Sequence, residues 1–476
     1  MVEVRLGLEC VVLAAGKGTR MRSSSAKVVH EVAGRPLLHY VLDAARGAGA
    51  ARIIVVVGHD AEAVSGAAEA WRAEREENAR VTLAFAVQAE QRGTGHAAAQ
   101  AVPHLSGTCN AVLLLCGDTP LLRPESLAQL CAGAEAQAEA QVALLTARTD
   151  APGAYGRIIR REGQVAAIRE AKDATPQELA LTEVNPGVYV FERGFLERTL
   201  PELGSHNAQG EVYLTDLVER AAAVWDLPVP FLETLGVNDQ ADLAEAQAVL
   251  YARRARGLAQ SGVRVADLNR LQVGPDVTVA AGAALAVDVT LAGRTRVAAG
   301  AQIGQGCVLH AVEVAEDARL LPYCVASEAR IGPRAQVGPF VQLRPKATLE
   351  ADTKVGNFSE IKAARLGAGA KVNHLSYVGD ADVGERVNLG AGTIVCNYDG
   401  MQKWPTVIEA DVFVGSDCQL VAPLRIGAGA YVATGTTVTV NVPAGALAVG
   451  RARQSNKDGY ATRLRKRLAA RLKPTA

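Results

Sequence analysis

Residues 331–355 read IGPRAQVGPFVQLRPKATLEADTKV, in which aliphatic side chains stand six residues apart at Ile331, Val337, Leu343, Leu349 and Val355. Small or β-branched residues often stand four positions after each of them. A strict six-residue repeat is typical of a parallel β-helix, in which each short strand points one aliphatic side chain at the axis. Three such hexads make one triangular coil. The stretch therefore predicts a β-helix.

The same period extends over most of the C-terminal half of the chain. It also places aliphatic residues at Val273, Val279, Leu285, Leu291, Val297, Ile303, Leu309, Ile361, Val414, Leu420, Ile426, Val432 and Val438. The register slips between Ile361 and Leu366 and is lost from residue 396 to 406. That second break is polar and rich in turn residues, so we expect it to protrude as a loop on a working face.

The N-terminal half has a different pattern, in which short aliphatic runs alternate with Ala-rich segments compatible with helices. The runs cover residues 10–13, 53–57, 112–115, 142–145 and 188–191. This alternation is typical of a sheet covered by crossover helices, and it predicts an α/β domain. We predict this domain over residues 1–240, a helical linker over 241–261 and the β-helix domain over 262–476.

Composition narrows the possible partners. The 476 residues contain 50 Lys plus Arg and 50 Asp plus Glu, so the chain lacks the overall basic field expected of a nucleic-acid-binding protein. Its eight cysteines are scattered, which argues against a zinc site or a disulfide framework. With no signal-type segment and no apolar run of membrane-spanning length, we expect a soluble cytoplasmic protein. The basic segment 463–467 reads as a solvated tail, with contact to an anion or a partner as the alternative.

Residues 13–21, LAAGKGTRM, follow the apolar run 10–12 and predict a strand entering a phosphate-holding turn. Gly16 and Gly18 let the backbone take unusual conformations and approach a ligand, so that N–H groups can cradle an anion. Lys17, Arg20 and Lys27 supply positive charge. The alternative interpretation is an ordinary glycine turn with solvated lysines.

Two oxygen-bearing side chains are candidate metal ligands. Asp118 follows the strand 112–115, where a carboxylate near a phosphate cradle could hold Mg²⁺. The alternative is a helix cap before Pro120. Asn238, near the end of the domain, could supply a second ligand, although an isolated Asn is most often a turn residue.

Further polar segments could line a pocket. Residues 88–97, QAEQRGTGHA, carry amide and backbone donors suited to a nucleobase edge, or form a simple glycine loop. Residues 154–157, Glu170, Asn185 and 207–216 are together dense enough to line a sugar site, although each alone reads as structural.

These motifs resemble those of the sugar-1-phosphate nucleotidyltransferases, and the 88–97 segment narrows the resemblance to enzymes acting on N-acetylglucosamine 1-phosphate. The resemblance implies a Rossmann-like mixed sheet. It implies that the uridine nucleotide is held by Leu13, Ala14, Ala15, Gly16, Gln88, Gly93, Thr94 and Gly117, its phosphates by Arg20 and Lys27, the sugar by Gly156, Glu170 and Asn185, and Mg²⁺ by Asp118 and Asn238. Cys116 and the segment 24–26 depart from the family pattern, which often has Tyr and Leu-Pro there.

A lone histidine on a solenoid face is usually a surface residue. His374, however, belongs to a set of polar and charged residues that also includes Arg344, Lys362, Tyr377, Asn388, Asn397, Tyr398, Ser416 and Arg451. The set resembles the acetyltransferase half of the bacterial bifunctional N-acetylglucosamine-1-phosphate uridylyltransferase/glucosamine-1-phosphate acetyltransferases. The resemblance implies His374 as general base, Arg344 and Lys362 as phosphate ligands, Tyr377 and Asn388 as sugar contacts, and Ala391, Asn397, Tyr398, Ser416, Thr434 and Arg451 around acetyl-CoA. It also implies a left-handed coil and a homotrimer with sites shared between subunits.

We therefore expect an enzyme that acetylates glucosamine 1-phosphate and then transfers UMP from UTP to the product, making UDP-N-acetylglucosamine for peptidoglycan and lipopolysaccharide precursors. We expect neither nucleic-acid binding nor membrane insertion. Two alternatives remain at this point. One is a nucleotidyltransferase whose β-helix only regulates or oligomerises, and the other is a non-enzymatic solenoid with a degenerate sheet domain.

Overall fold

The computed structural model describes residues 7–137 and 139–471, which divide into two compact units. The first unit extends to Arg256 and includes residues 273–275, and the rest of the chain from Gly257 forms the second. A helix spans Gln240–Gln260, where the sequence predicts a linker. Its first turns are part of the first unit rather than a free connector, because Ala246 packs in a buried cluster with Leu121 and Val237.

The first unit is built on a mixed sheet, to which the described residues contribute ten strands. Along the sheet the strands are Thr82–Val87, Arg52–Val57, Leu8–Leu13, Ala111–Cys116, Tyr189–Glu192, Val142–Arg148, Glu183–Asn185, Gly156–Arg161 and Gln164–Arg169, with Val224–Pro230 also paired to Val142–Arg148. The first four are parallel, and Tyr189–Glu192 is antiparallel to both of its neighbours. The predicted mixed sheet is confirmed.

Helices cover both faces of this sheet. The α-helices span Leu37–Gly47, Ala61–Glu74, Glu76–Ala79, Thr94–Ala101, Pro124–Ala136, Pro176–Leu179, Arg193–Thr199 and Asp216–Arg220, and 3-10 turns span Thr19–Met21, Lys27–Val29, Val102–His104, Leu200–Glu202 and Phe231–Thr234. Alternate side chains of one strand enter different cores, with Cys10 and Val12 on one face and Val11 on the other. This two-sided burial explains why the strands read as continuous aliphatic runs. A short hairpin pairs Glu31–Val32 with Arg35–Pro36.

The strand register sets the position of the polar segments. Leu13 pairs with Cys116 in the parallel ladder between Leu8–Leu13 and Ala111–Cys116. Because parallel strands end at the same edge, the turn after Leu13 and the Gly117-Asp118 pair emerge side by side. This edge is where open α/β sheets bind ligands.

The second unit consists of three parallel sheets wound around one axis, the arrangement of a left-handed β-helix. In the described part of the chain, eleven strands form its first sheet: Arg264–Val265, Ala284–Leu285, Gln302–Ile303, Arg319–Leu320, Gln336–Val337, Lys354–Val355, Lys371–Val372, Asn388–Leu389, Phe413–Val414, Tyr431–Val432 and Leu447–Ala448. Ten form the second: Leu271–Val273, Val289–Ala292, Val308–His310, Val325–Ser327, Gln342–Leu343, Glu360–Lys362, Tyr377–Gly379, Ile394–Cys396, Gln419–Val421 and Thr437–Val438. Nine form the third: Thr278–Val279, Arg296–Val297, Glu313–Val314, Arg330–Ile331, Thr348–Leu349, Arg365–Leu366, Ala381–Val383, Thr406–Ile408 and Leu424–Ile426.

The pairing explains the sequence period. Val337 pairs with Val355 one coil later, 18 residues along the chain, and both side chains are buried on the axis. Gln336 and Lys354, which precede them, face outward. Some coils contain 17 residues, as where Lys354 pairs with Lys371, and these account for the slip in the repeat.

The second break in the repeat is a loop, as predicted. Between the strands Ile394–Cys396 and Thr406–Ile408, residues 397–405 form a small hairpin whose tip at Met401 is 93% exposed. We call this segment the 397–405 loop.

The chain continues beyond the last coil as a helix, Tyr460–Arg471, that carries the predicted basic tail segment and buries none of its residues. Within residues 7–137 and 139–471, none of the helices combines the length and apolar composition needed to cross a membrane.

Candidate active sites

The carboxyl edge of the first unit's parallel strands borders a cleft of about 270 Å³. Nine residues predicted to bind nucleotide, phosphate or metal line it: Leu13, Ala14, Ala15, Gly16, Lys27, Gln88, Gly93, Thr94 and Asp118. The tertiary structure thus gathers segments that lie up to a hundred residues apart in the chain.

Backbone geometry explains the turn after Leu13. Gly18 has φ of 57°, and a Cβ there would lie 2.7 Å from Lys27 Cβ, so glycine lets the turn pack on Lys27. Gly16 differs from the prediction because it lacks the positive φ, and a Cβ there would meet open space. The Gly117 N–H donates to the Leu13 carbonyl at 2.9 Å, so it ties the two strand ends together instead of facing a ligand.

Each of the two predicted metal ligands binds a cationic side chain. The Lys27 ammonium forms an ion pair with the Asp118 carboxylate. Arg20 Nη2 donates to Asn238 Oδ1 at 2.8 Å. The Val237 N–H donates to the Asp118 carbonyl at 2.9 Å, which brings Asn238 to the same edge as Asp118. Both predicted metal ligands are thus adjacent, and each holds a cationic side chain.

This donor set fits Mg²⁺, a hard cation that prefers oxygen ligands and shares them with substrate phosphates. Asp118 and Asn238 each offer a side-chain oxygen. The part of the chain that the structure describes contains no cluster of three or more acidic, histidine or cysteine side chains suited to a metal.

Sequence reasoning missed a support of the nucleotide turn. Gln91 Nε2 donates to the Ala15 carbonyl at 2.6 Å, and Gln91 also lines the cleft. Gln88 is 4% exposed, and its amide nitrogen lies 3.1 Å from His96 Nδ1 and 3.2 Å from the Gly93 carbonyl. Gln91 is part of the quoted 88–97 segment, but the sequence held no signal that singled it out. Its role follows only from the contact that its side chain makes with Ala15.

Of the three residues predicted to hold the sugar, Glu170 lines a second cavity of the first unit, of about 430 Å³, together with Arg20. Glu170 accepts a hydrogen bond from Thr215 Oγ1 at 3.0 Å, and burial raises the pKa of its carboxyl group. A Cβ at Gly156 would lie 3.6 Å from Glu170 Oε1, so the absence of a side chain there leaves room beside the carboxylate.

Two other polar side chains complete this region. Asn185 is buried, and its amide nitrogen donates to the Tyr189 hydroxyl at 2.7 Å. Tyr213, part of the 207–216 segment predicted to line a sugar site, lines the same cavity as Arg20 and Glu170 and is 7% exposed. Arg20 therefore contacts the predicted metal ligand Asn238 and lines a cavity with the predicted sugar residue Glu170.

In the second unit, a corner between its first and second sheets gathers residues from successive coils. Asn357, His374, Ala391, Ser416 and Thr434 each stand two positions after an inward-facing residue of the first sheet. Backbone hydrogen bonds link the steps, with Gly392 donating to His374, Asp417 to Ala391 and Gly435 to Ser416. We call this set the corner column.

His374 has a defined orientation in the corner column. Its Nδ1 lies 2.8 Å from Asn357 Oδ1. Because an amide oxygen only accepts, Nδ1 carries the proton and Nε2 keeps the lone pair. Asn357 was missed from the sequence, although it precedes His374 by one 17-residue coil. The predicted acetyl-CoA residues Ala391, Ser416 and Thr434 continue from His374, and Arg451 Nη1 donates to the Thr434 carbonyl at 2.8 Å.

The predicted anion-binding groups stand at the other end of the second-sheet strands, away from the corner column. Arg344 Nη1 forms an ion pair with Glu360 Oε1 at 2.7 Å. Lys362 lies on the strand that pairs with the strand carrying Tyr377. The 397–405 loop adds Lys403, another residue missed from the sequence, whose ammonium adjoins that of Lys362 and lowers the pKa of Lys362. Three cationic side chains therefore converge here.

The remaining predicted residues divide between the loop and the first sheet. Asn397 is 6% exposed and donates to an Asp380 carboxylate oxygen and, at 3.5 Å, to the Tyr377 hydroxyl. Tyr398 lies on the loop and is 60% exposed. Asn388 is on the first sheet, between Lys371 and Phe413, so the chain does not bring it to the sheet that carries Tyr377.

Comparison with known proteins relates both units to one family. Residues 10–220 match the model of the MobA-like NTP transferase domain. The chain is 52% identical to Bifunctional protein GlmU of Sorangium cellulosum over 466 residues, covering 97% of each chain. The corresponding protein of Pelobacter propionicus is 45% identical over 96% of this chain and 98% of its own. The chain belongs to the GlmU family. This GlmU family member is accordingly a bifunctional uridylyltransferase and acetyltransferase.

Among solved structures, a UDP-glucose pyrophosphorylase complexed with UDP-glucose aligns with 53% of this GlmU family member and all of its own chain. The identity is 17% and the TM-score 0.43.

Proposed function

We propose that the two units catalyse consecutive steps of UDP-N-acetylglucosamine synthesis with the residue roles that follow. The second unit acetylates glucosamine 1-phosphate with acetyl-CoA, and the first transfers UMP from UTP to the N-acetylglucosamine 1-phosphate produced. The observation that carries the proposal is that residues predicted for each reaction gather within a single unit. Nine line the cleft at the sheet edge, and His374, Ala391, Ser416 and Thr434 stand along the corner column.

For acetyl transfer, His374 Nε2 accepts a proton from the ammonium of glucosamine 1-phosphate. The freed amine attacks the thioester carbonyl of acetyl-CoA, the C–S bond breaks and coenzyme A leaves as a thiol. Asn357 holds the proton on Nδ1, so that Nε2 is the basic nitrogen. Arg344, Lys362 and Lys403 bind the sugar phosphate, and donors near Asn397 or Ser416 bind the oxyanion.

For uridylyl transfer, a phosphate oxygen of N-acetylglucosamine 1-phosphate attacks the α-phosphorus of UTP and pyrophosphate leaves. Asp118 and Asn238 would hold Mg²⁺, which neutralises charge on the phosphate oxygens. Lys27 and Arg20 contact the phosphates directly, and their bonds to Asp118 and Asn238, the proposed metal ligands, support this role. Glu170, Asn185 and Gly156 position the acetylated sugar, so the protein acts by orientation and charge neutralisation.

We also propose that the chain works as a homotrimer joined through the β-helix. The corner that carries His374 also exposes an apolar row of Tyr323, Phe340, Phe358 and Leu375 on successive coils. Its aromatic rings stack at 5.5 and 5.4 Å between centroids, and the four side chains are 48–60% exposed. Such a contiguous patch is typical of an interface. A neighbouring copy on this row would adjoin His374, and another copy could supply the Asn388 that this chain keeps on its first sheet.

The co-substrates UTP and acetyl-CoA support a cytoplasmic location, and the resemblance supports a role of the product in peptidoglycan and lipopolysaccharide synthesis.

An omission assay tests the whole proposal. The purified chain is given glucosamine 1-phosphate, acetyl-CoA, UTP and Mg²⁺, with one component left out at a time. We expect UDP-N-acetylglucosamine only with all four, coenzyme A release without UTP or Mg²⁺, and pyrophosphate release without acetyl-CoA only when N-acetylglucosamine 1-phosphate is supplied. Acetyl transfer that needs UTP, or uridylyl transfer without any divalent cation, would contradict it. Light scattering of the same sample tests the trimer, and a monomer would refute it.

A further inference from the structure

One carboxylate accepts three of the hydrogen bonds within the 397–405 loop. Asp399 Oδ1 accepts hydrogen bonds from the N–H groups of Met401 and Gln402, each at 2.8 Å, and Oδ2 accepts one from Trp404 Nε1 at 2.6 Å. These three bonds hold the pKa of Asp399 at about 2, so the side chain is ionised at neutral pH. The loop is largely exposed, so internal hydrogen bonds hold its shape, and Asp399 accepts more of them than any other of its side chains.

The loop that Asp399 braces sets the positions of Asn397 and Lys403 in the proposed acetyl-transfer site. Backbone pairing of Tyr398 with Lys403 and a 2.8 Å bond from the Trp404 N–H to the Asn397 carbonyl fix the register of the hairpin. The buried Asn397 anchors one side of the hairpin to the coil below. The other side carries Lys403, whose position therefore depends on the turn that Asp399 closes.

That position is electrostatically unfavourable without a ligand. The Lys403 ammonium adjoins the Lys362 ammonium, and like charges repel. A lysine on an unbraced exposed loop would move away into solvent. Between two ammonium groups held close together, however, a doubly charged phosphate group is strongly attracted.

We propose that Asp399 is a positioning residue for acetyl transfer, bracing the 397–405 loop so that Lys403 meets Lys362 and the pair binds the phosphate of glucosamine 1-phosphate. This inference rests on the proposed acetyltransferase function of the second unit. It adds a residue that touches no substrate and acts through Lys403. Its effect falls on binding of the sugar phosphate and not on the proton transfer at His374.

Steady-state kinetics of the full chain test the proposal. In Asp399→Ala, we expect the KM for glucosamine 1-phosphate to rise about tenfold, because the phosphate loses one charge-assisted contact. The kcat should stay within about twofold, and the KM for acetyl-CoA and the uridylyl transfer rate should not change. Asp399→Asn keeps an oxygen for the Met401 and Gln402 N–H groups but loses one carboxylate oxygen, so it should restore part of the KM. Asp352→Ala, which removes another exposed carboxylate of low pKa, is the matched control.

A double mutant tests the route through Lys403. If Asp399 acts through this lysine, the Asp399→Ala and Lys403→Ala changes combined should raise the KM no further than Lys403→Ala alone. Multiplicative effects would overturn the proposal. So would an unchanged KM in Asp399→Ala, or a fall in kcat at constant KM.

Two measurements on the same variants do not depend on turnover. The emission of Trp404, obtained by subtracting spectra of matched Trp404→Phe variants, should shift to longer wavelength in Asp399→Ala because the indole gains contact with water. Calorimetry of glucosamine 1-phosphate binding should show the same tenfold loss. If the native chain fails to transfer acetyl groups, the proposed function fails, whereas equal binding by native and Asp399→Ala protein refutes the positioning role by itself.

Discussion

The two units of this GlmU family member assemble their sites from residues at very different separations along the chain. In the first unit, Lys27 pairs with Asp118 across 91 positions, and Arg20 with Asn238 across 218. In the second, His374 meets Asn357 across 17 positions and Arg344 meets Glu360 across 16. A solenoid places residues one coil apart in contact, whereas a sheet edge joins loops from anywhere in the domain.

This difference has consequences for how each site responds to change. In the β-helix, a side chain depends on the coils above and below it, so a substitution should act locally. At the sheet edge, one side chain links segments from several parts of the unit. Substitutions of His374 and Lys27 should therefore each abolish one activity and leave the other as an internal control.

The largest effect is expected at His374. His374→Ala removes the proposed general base, so acetyl transfer should fall by roughly 10²–10⁴-fold. Uridylyl transfer from UTP to supplied N-acetylglucosamine 1-phosphate should keep its native rate. Coenzyme A release and pyrophosphate release, measured on the same preparation, check both. Full acetyl transfer in the variant would eliminate His374 as the base.

The converse change is Lys27→Ala. It removes a cation from the phosphate end of the cleft and leaves Asp118 without its ion-pair partner, so uridylyl transfer should fall by roughly 10²–10³-fold. Acetyl transfer should be unaffected. Lys17→Ala is the control, because it removes a neighbouring charge from the same turn. An equal loss in both variants would mean that overall charge, and not the pairing with Asp118, matters.

A smaller effect is expected at the contact between coils. Asn357→Ala frees the His374 ring to rotate and exchange tautomers, so the kcat of acetyl transfer should fall roughly three- to tenfold while both KM values stay close to native. Asn269→Ala, on an early coil, should have no effect on these constants. A change confined to KM would show that Asn357 contacts substrate and does not orient His374.

The smallest effect concerns stability of the first unit. Arg160 donates to Glu183 and lowers its pKa, so this contribution to folding is present above the unfolded value of about 4.3 and is lost as the pH falls through the lower folded value. Glu183→Gln should therefore cost about 1 kcal/mol at pH 6, with the difference shrinking below pH 4. Urea unfolding at both pH values checks this, with the exposed Glu245→Gln as control. A difference independent of pH would contradict the ion pair.

The structure and the sequence agree best where a local rule applies. The six-residue spacing of Ile331, Val337 and Leu343 predicted the three-sided coil because each inward side chain must reappear after one side of the triangle. The turn predicted after Leu13 likewise lines the cleft at the sheet edge. The two glycines of this turn show the limit of such a local rule. The sequence predicted an unusual backbone conformation at both Gly16 and Gly18, but of the two only Gly18 has a positive φ.

Contacts that depend on side-chain direction could not be read in this way. Gln91, Tyr213, Asn357 and Lys403 stand in segments that the sequence singled out or in the repeat itself, yet nothing in their spacing assigned them a contact. Asn388 matched the family pattern but lies on a different sheet from Tyr377.

The sequence by itself determined the two kinds of fold, the six-residue coil and the sheet edge beneath the LAAGKGTRM turn, because periodicity and apolar runs record which side chains must be buried. Only the tertiary structure decided that Lys27 holds Asp118, that Arg20 holds Asn238 and that Asn357 orients His374. Such pairs depend on the register of strands and the path of loops, which the burial pattern of any single segment does not contain.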